Sequence, residues 1–592
     1  MHLAPWTVAV PLAFAALLAG LGHKLPRAIA DLIALLVAGA NTLACALLVL
    51  EARNGPFVYW FGGIRSRGGV SLGVDFAIDR FGAGLATLSS LLVFCALLFS
   101  ARYFEKPQAL FQSLLLAFLA GLCGFSLSGD LFNLFVFFEL MSAAAFGLCA
   151  YKSREVGPLQ GAINFAVTNT AGAFLTLSGI AMLYARTGAL NLSQLSRALA
   201  GQGDALVVTG FAFVCIGFLV KAAIVPFHFW LADAHAAAPT PACTIFSGAM
   251  VEAGLYAVAR VHGALFARPL AGVRPALLAL AVATCIAGGA MCFAQRHLKR
   301  MLAFSTISHA GAMLCGIALL TPDGYAGAGV YVVGHGLIKG ALFLCTGVLL
   351  HRLHSVDELA LHGRGRRLPW LGICFAVLGL LLAGAPPSAM HLGGSMLHHA
   401  LHAHPLTAAA LTISSVVTGA AVLRAAGRIF LGWGPREPDA PGGGESDEQP
   451  ETDPGRIPWT MALPIALLVA LAVASGLLPP APATTDAKRM LDPQAFAAIV
   501  LDGAPQVRPA AESEEPSGPR LVHSAITVGA ALTLAALTLA RKRLPGGLRR
   551  AVRTAWFGAS AALRSLHTGE VGDQIAWLAL GSAILCGAIA FL

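Results

Sequence analysis

Charge is what this chain has least of. Only 11% of its 592 residues are Asp, Glu, Lys or Arg, where a soluble domain carries about 25%. Hydrophobic residues make up 57%, and mean hydropathy is +0.75. A soluble globular protein, a disordered chain and a nucleic-acid binder all fit this composition poorly. Paired cysteines are missing too. The twelve cysteines stand singly in apolar segments, Cys45, Cys95, Cys123, Cys215, Cys345 and Cys586 among them, with no C-x-x-C pair. Iron–sulfur, haem c and structural zinc sites therefore have no ligand pattern to rest on, and the thiols read as small buried hydrophobes. No G-x-G-x-x-G follows a strand, so no cofactor is expected. The first residues, MHLAPWTVAVPLAFAALLAG, lack a basic leader region and a cleavage site, and read as a retained first helix.

What is present is a long series of apolar runs. They fall near 5–22, 28–50, 80–100, 109–127, 130–150, 160–184, 205–225, 242–262, 275–295, 302–320, 325–350, 369–390, 406–431, 459–479, 521–540 and 571–591. At roughly 20 residues per span these make about sixteen transmembrane helices, and none shows β-barrel alternation. The predicted fold is an all-α polytopic membrane protein.

The formal net charge is +10. Its basic residues cluster in the gaps after odd-numbered spans: Lys24 and Arg27, Arg102 and Lys106, Lys152 and Arg154, Arg296, Lys299 and Arg300, Arg352 with Arg364, Arg366 and Arg367, and Arg541, Lys542 and Arg543. The opposite gaps are poorer, though Arg53, Arg65, Arg67, Arg260, Arg268 and Arg274 lie there. This bias puts the odd gaps in the cytoplasm, both termini outside, and the chain in the cell membrane. Residues 435–458, rich in Pro, Gly and acid, read as a flexible solvated loop, and 480–520 reads similarly. Residues 545–566 read as a basic amphipathic helix on the membrane surface.

An ionisable residue inside a span is costly and defaults to a functional candidate. Glu139, Lys221, Glu252, His309, His335, Lys339 and Arg424 all sit inside apolar runs. His335 and Lys339, at i and i+4, share a helix face. Paired charges that hold helices together are the bland reading. A series spread over several helices favours a hydrated path of successive protonation sites. Pro226 breaks the seventh span and Pro386–Pro387 the twelfth, which a membrane tolerates only beside protein or a water-filled cavity. Matching breaks point to two inverted repeats. The expected layout is residues 1–108 (spans one to three), 109–265 (first repeat, spans four to eight), 266–434 (second repeat, spans nine to thirteen), the acidic loop 435–458, and 459–592 (spans fourteen to sixteen with the surface helix).

At these residues the sequence resembles the antiporter-like membrane subunits of respiratory complex I, membrane-bound hydrogenases and Mrp-type cation/proton antiporters. The matching segments are DLFNLFVFFE (130–139), KAAIVPFHFWLADAHAAAPTP (221–241), GAMVEAGLYAVAR (248–260), LKRMLAFSTISHAG (298–311), GHGLIKGALF (334–343), GAPP (384–387) and the RIFLGW end of the thirteenth span (428–433). The detail is most similar to the D-type Mrp subunit or the subunit-5 type of complex I. The resemblance implies fourteen core helices in two inverted five-helix repeats, and a proton path. In that path Glu139 and Lys221 form a coupling ion pair. Lys221 passes a proton to the eighth span, then through His335 and Lys339 to a charge on the twelfth. His228, His309, His391, His398 and His402 are accessory candidates, and no metal or catalytic residue is implied. Partners would be other membrane subunits, protons, Na+ and lipid, with no nucleic acid.

The sequence departs from that pattern in three places. Glu252 stands where many members carry Lys, and Ala232 where a Pro is usual. The helix-twelve charge is absent: HLGGSM (391–396) stands there instead. A histidine cluster follows, His391, His398, His399, His402 and His404, with His398 and His402 one turn apart. A polar loop, a proton exit and a zinc site are the open readings. The expected function is a proton-translocating antiporter-like subunit, with monovalent cation (Na+)/proton antiport of the Mrp type. The alternatives are a proton-pumping subunit of a complex I-like or hydrogenase complex, or a repurposed scaffold or energising subunit. Any redox chemistry would belong to partners.

Overall fold

The structure, a computed structural model, describes residues 3–104, 109–151, 156–200, 204–265, 272–435, 457–477, 479, 481–504, 520–543, 545–547 and 569–591. The chain is an all-α polytopic membrane protein. Its helices are α1 (Trp6–Leu21), α2 (Arg27–Glu51), α3 (Arg80–Ser100), α4 (Ala109–Leu127), α5 (Leu131–Cys149), α6 (Val156–Thr187), α7 (Leu192–Ala198) and α8 (Ala205–Lys221). There follow α9 (Phe229–Ala237), α10 (Thr240–Ile245), α11 (Val251–Leu265), α12 (Val273–Ala294), α13 (Leu298–Ala318), α14 (Pro322–Leu353), α15 (Pro369–Leu382) and α16 (Ala389–Ala400). The series ends with α17 (Pro405–Ala426), α18 (Trp459–Ala474), α19 (Ala481–Met490), α20 (Pro493–Asp502), α21 (Arg520–Leu539) and α22 (Val571–Phe591).

Among the described residues, 14 helices are long and apolar enough to cross a membrane. The other two expected spans appear as the shorter apolar helices α8 and α15, each cut short at its proline break. Burial sorts the helices into layers. The apolar window of α13 is 100% buried, whereas that of α21 is 22%. The peripheral helices α2, α6 and α22 turn Leu43, Phe174 and Ile584 outward, as lipid contact requires.

Hydrogen bonds bridge both breaks. After Lys221 the chain leaves the helix, and the Trp230 indole N–H donates to the carbonyl of Val220 at 2.9 Å. The amide of Val225 donates to Thr284 Oγ1 at 3.0 Å. At the second break Ser388 caps α16 through the His391 amide, and the Ala389 amide donates to Ser475 Oγ at 3.0 Å. These contacts satisfy backbone groups exposed where the helices end and restart.

α16 lies along α14 at very close range. A Cβ on Gly334 would meet the backbone nitrogen of Met390, and one on Gly393 the backbone nitrogen of Tyr331, at 2.1 and 2.4 Å. Only glycine permits that approach.

Three features depart from the sequence reading. A hairpin of β1 (Phe57–Trp60) and β2 (Asp75–Ile78) lies between the second and third spans, pairing Phe57 with Ile78 and Trp60 with Asp75. Residues 480–520, which by composition read as a solvated linker, hold α19 and α20. These short helices bury Ala487, Met490, Ala497, Val500 and Leu501 and are tied down by Arg80–Asp486 and Arg197–Asp502. Burying even one small apolar face overrides a composition that suggests disorder. Arg260 and Lys299, counted with the loops, are buried. Arg260 pairs with Asp79, and Lys299 donates to the carbonyls of Ala236 and Ala238 at 3.1 and 2.7 Å, complementing the C-terminal end of α9. The acidic loop 435–458 and the surface helix 545–566 lie, apart from their end residues, outside the described residues.

Candidate functional site

The intramembrane ionisable residues converge on the interior of the bundle. Lys221 ends α8 and is fully buried. Its ammonium donates to Ser142 Oγ on α5 at 2.8 Å and sits 4.6 Å from the centre of the Phe138 ring, a cation–π distance. Its coupling partner by resemblance, Glu139, lies beyond ion-pair contact length in this structure, within range of its charge. Glu139 lies one turn before Ser142, on the stripe of α5 that also carries Phe132 and Val136, both more than 40% exposed. It is partly exposed itself. A hydroxyl on the inner face is the nearer partner for the buried ammonium.

Glu252 lies in the first turn of α11, directly after a π-helical turn at Phe246–Met250. Such turns recur at functional sites. Oε1 of Glu252 and Nδ1 of His335 share a hydrogen bond of 2.6 Å, and both side chains have no solvent exposure. The opposite ring nitrogen of His335, Nε2, and the other carboxylate oxygen, Oε2, have no hydrogen-bond partner. The ring of His309 on α13 is centred 5.4 Å from that of His335. His309 in turn bonds Tyr331 through Nδ1 at 2.8 Å and Thr418 through Nε2 at 2.9 Å. Lys339, one turn beyond His335, donates to the Leu302 carbonyl at 2.5 Å and to Ser305. α11, α13, α14 and α17 thus meet in a connected polar core inside an apolar bundle. Unsatisfied groups there would be costly.

The histidine cluster divides. His391 and His398 line a small pocket with Tyr331, Ser415, His523 and Ser524. Ser524 bonds His391 Nδ1 at 2.7 Å, and the Nε2 atoms of His398 and His523 lie 3.1 Å apart. His399 and His402 are exposed, and His404 bonds Arg274 at 2.7 Å. The one-turn pairing of His398 with His402 is not realised, because α16 ends at Ala400 and His402 turns back onto the His399 carbonyl. For the zinc reading, His398 and His523 supply two nitrogens. Among the described residues no third His, Cys, Asp or Glu joins them, where zinc takes four ligands. His228 lies buried in the break after Lys221, its ring 4.2 Å from that of Phe229.

Arg424 is not part of this core. It and Arg428 both pair with Glu358, and Arg424 also donates to the carbonyls of Phe293 and Gln295. The bland reading, a charge that fastens helices together, is the right one here. Ser142, Ser305, Tyr331, Thr418, His523 and Ser524 are hydrogen-bond partners of these candidates and do not stand out in the sequence. Uncharged hydroxyls are common in spans, and the signal for His523 is its place in the first turn of an apolar run.

Three comparisons bear on this geometry. The sequence matches the family described as "NADH:quinone oxidoreductase/Mrp antiporter, TM" over residues 128–418. It is 31% identical over 458 residues to the N subunit of the NADH-quinone oxidoreductase of Desulforudis audaxviator, covering 75% of this chain and 87% of the relative. It is 30% identical over 325 residues to the D subunit of the Na(+)/H(+) antiporter of Bacillus subtilis, covering 54% and 66%. In structure it is similar to a chain of the Mrp complex from Dietzia sp. DQ12-45-1b, with a TM-score of 0.73 and 26% identity over 84% of this chain and 98% of that one.

Proposed function

The chain belongs to the NADH:quinone oxidoreductase/Mrp antiporter transmembrane family, and on that premise we propose that it is an antiporter-like subunit that moves protons through the bundle interior in exchange for a monovalent cation, Na+ first. Its partners are other membrane subunits of an Mrp-type complex. Positive-inside bias supports both termini outside and the chain in the cell membrane, and the two broken helices support a division into two inverted repeats, 109–265 and 266–434.

The observation that carries this reading is the run Glu252–His335–His309–Tyr331, linking α11, α13 and α14 out of reach of solvent. A proton on Glu252 is shared with His335 Nδ1 across their 2.6 Å bond. The ring can release a proton from Nε2, which has no partner, through one bridging water to Nε2 of His309, whose bond to Thr418 opens to receive it. His309 passes it to the Tyr331 hydroxyl, which borders the pocket holding His391, His398 and His523. That pocket supplies the titratable groups that the twelfth span otherwise lacks. Lys221 feeds the core from the first half, with Ser142 holding its ammonium and Glu139 acting from one turn away. Lys339 is the alternative branch.

The same relay serves a proton-pumping subunit of a complex I-like assembly, and likeness to the N subunit of a quinone oxidoreductase supports that second reading. The deciding experiment is proton flux in inverted vesicles carrying the chain with its genomic neighbours, with and without Na+. The expected result is Na+-dependent proton movement lost in Glu139→Gln and Lys221→Ala. Flux indifferent to both substitutions would place the ion path in a partner and leave this chain a scaffold.

A further inference from the structure

A cavity of about 270 Å³ lies between α3, α11, α14 and α19, apart from the pocket at the twelfth span. Its walls are apolar, among them Leu255, Val332 and Ala483. Among the described residues that line it, charge enters at two places. At one, the ion pair Arg80–Asp486 spans 3.2 Å with the arginine side chain 25% exposed, which makes this the solvent end. At the other, Glu252 joins the wall with no exposure of its own, and its Oε2 has no partner. A dry apolar cavity suits a protonated carboxyl. An ionised carboxylate with one oxygen unsatisfied is penalised there. Oε2 is closed off from a water-sized sphere in this structure, so a water reaches it only when the wall there gives way, and the cavity volume is ample for several molecules.

We propose that this cavity is a proton vestibule that gives Glu252 its own access to solvent, wetting when the carboxylate is charged and drying when it is neutral, with α19 as its cover and Arg80–Asp486 as its latch. Apolar constrictions gate in this way by dewetting. The route bypasses His335, His309 and the histidine pocket, so the relay has two openings. A carboxyl is the group that such a vestibule can neutralise by delivering a proton. The inference rests on Glu252 being a protonation site, as proposed above.

The test uses vesicles of the full complex and dicyclohexylcarbodiimide, an apolar reagent that couples to protonated carboxyls, with the adduct at Glu252 quantified by mass spectrometry. The expected result is an adduct at Glu252 in the wild type and in Ala483→Ser, and its loss in Ala483→Trp, which fills the vestibule from its partly exposed rim. Proton flux in Ala483→Trp is expected to fall in parallel. No adduct at Glu252 in the wild type, or equal labelling in Ala483→Trp, overturns the proposal. So does blocked labelling with unchanged flux, which leaves the relay standing without the vestibule. Unchanged flux in Glu252→Gln, by contrast, overturns the relay itself whatever the labelling shows.

Discussion

His335 on α14 holds Glu252 on α11 by a 2.6 Å hydrogen bond, with neither side chain reached by solvent. A glutamine at 252 keeps the shape and one hydrogen bond but cannot take up a proton. Glu252→Gln is expected to abolish proton flux while the complex assembles normally. His335→Asn should do the same, and the double variant should be no worse than either single one, because residues acting as one unit are not additive. Vesicle flux measured against subunit content checks all three.

The pocket at the twelfth span makes its own demand. His398 and His523 sit 3.1 Å apart on α16 and α21. If protons leave through this pocket, His398→Ala and His523→Ala each slow flux. His402→Ala, at an exposed position, should leave it unchanged. Equal behaviour of all three would remove the pocket from the path.

Glu358 predicts a structural phenotype. It is the shared partner of Arg424 and Arg428, all three buried. Breaking such a cluster by removing one member costs about 3–5 kcal/mol. Glu358→Gln should therefore lower the melting temperature of the detergent-solubilised protein and its yield. The flux per assembled subunit should be retained.

Stability should also respond to pH through the hairpin. Asp75 is fully buried in β2, outside the spans, with one oxygen bonded by Asn191 and the other unpartnered. Burial, reinforced by the nearby Asp130, pushes its carboxyl up to about 7. A carboxyl raised in the folded state binds its proton more tightly there than when unfolded. Its stabilising share is therefore complete below about pH 4 and is lost as pH rises through 7, at about 1.4 kcal/mol per pH unit in between. Asp75→Asn should flatten that decline. Thermal melts from pH 5 to 8 that fall in parallel for wild type and variant would assign the pH dependence elsewhere.

Much of this was legible in sequence because a membrane makes charge conspicuous. Lys221, Glu252, His335 and Lys339 stand out as ionisable residues inside apolar runs, and all four are fully buried. The same criterion misjudges Arg424, whose partner Glu358 lies in the stretch after α14 and gives no sign of reaching it. For Glu139, periodicity alone does not say that its stripe of α5 is only partly buried. Tyr331 and Thr418 are invisible in sequence, because a hydroxyl in a span is ordinary until a histidine is found against it. α19 and α20 escape notice because each buries only two or three small or medium apolar residues in a polar, proline-bearing context.

The glycines between α14 and α16 carry one more consequence. With the backbones of Gly334 and Met390, and of Gly393 and Tyr331, pressed together, the two helices have no slack in which to slide past each other. His335 and Lys339 on one, and His391 and His398 on the other, therefore ride on a single stiff blade. A shift of either helix along the other is therefore opposed by backbone against backbone, not by side chains that can turn aside.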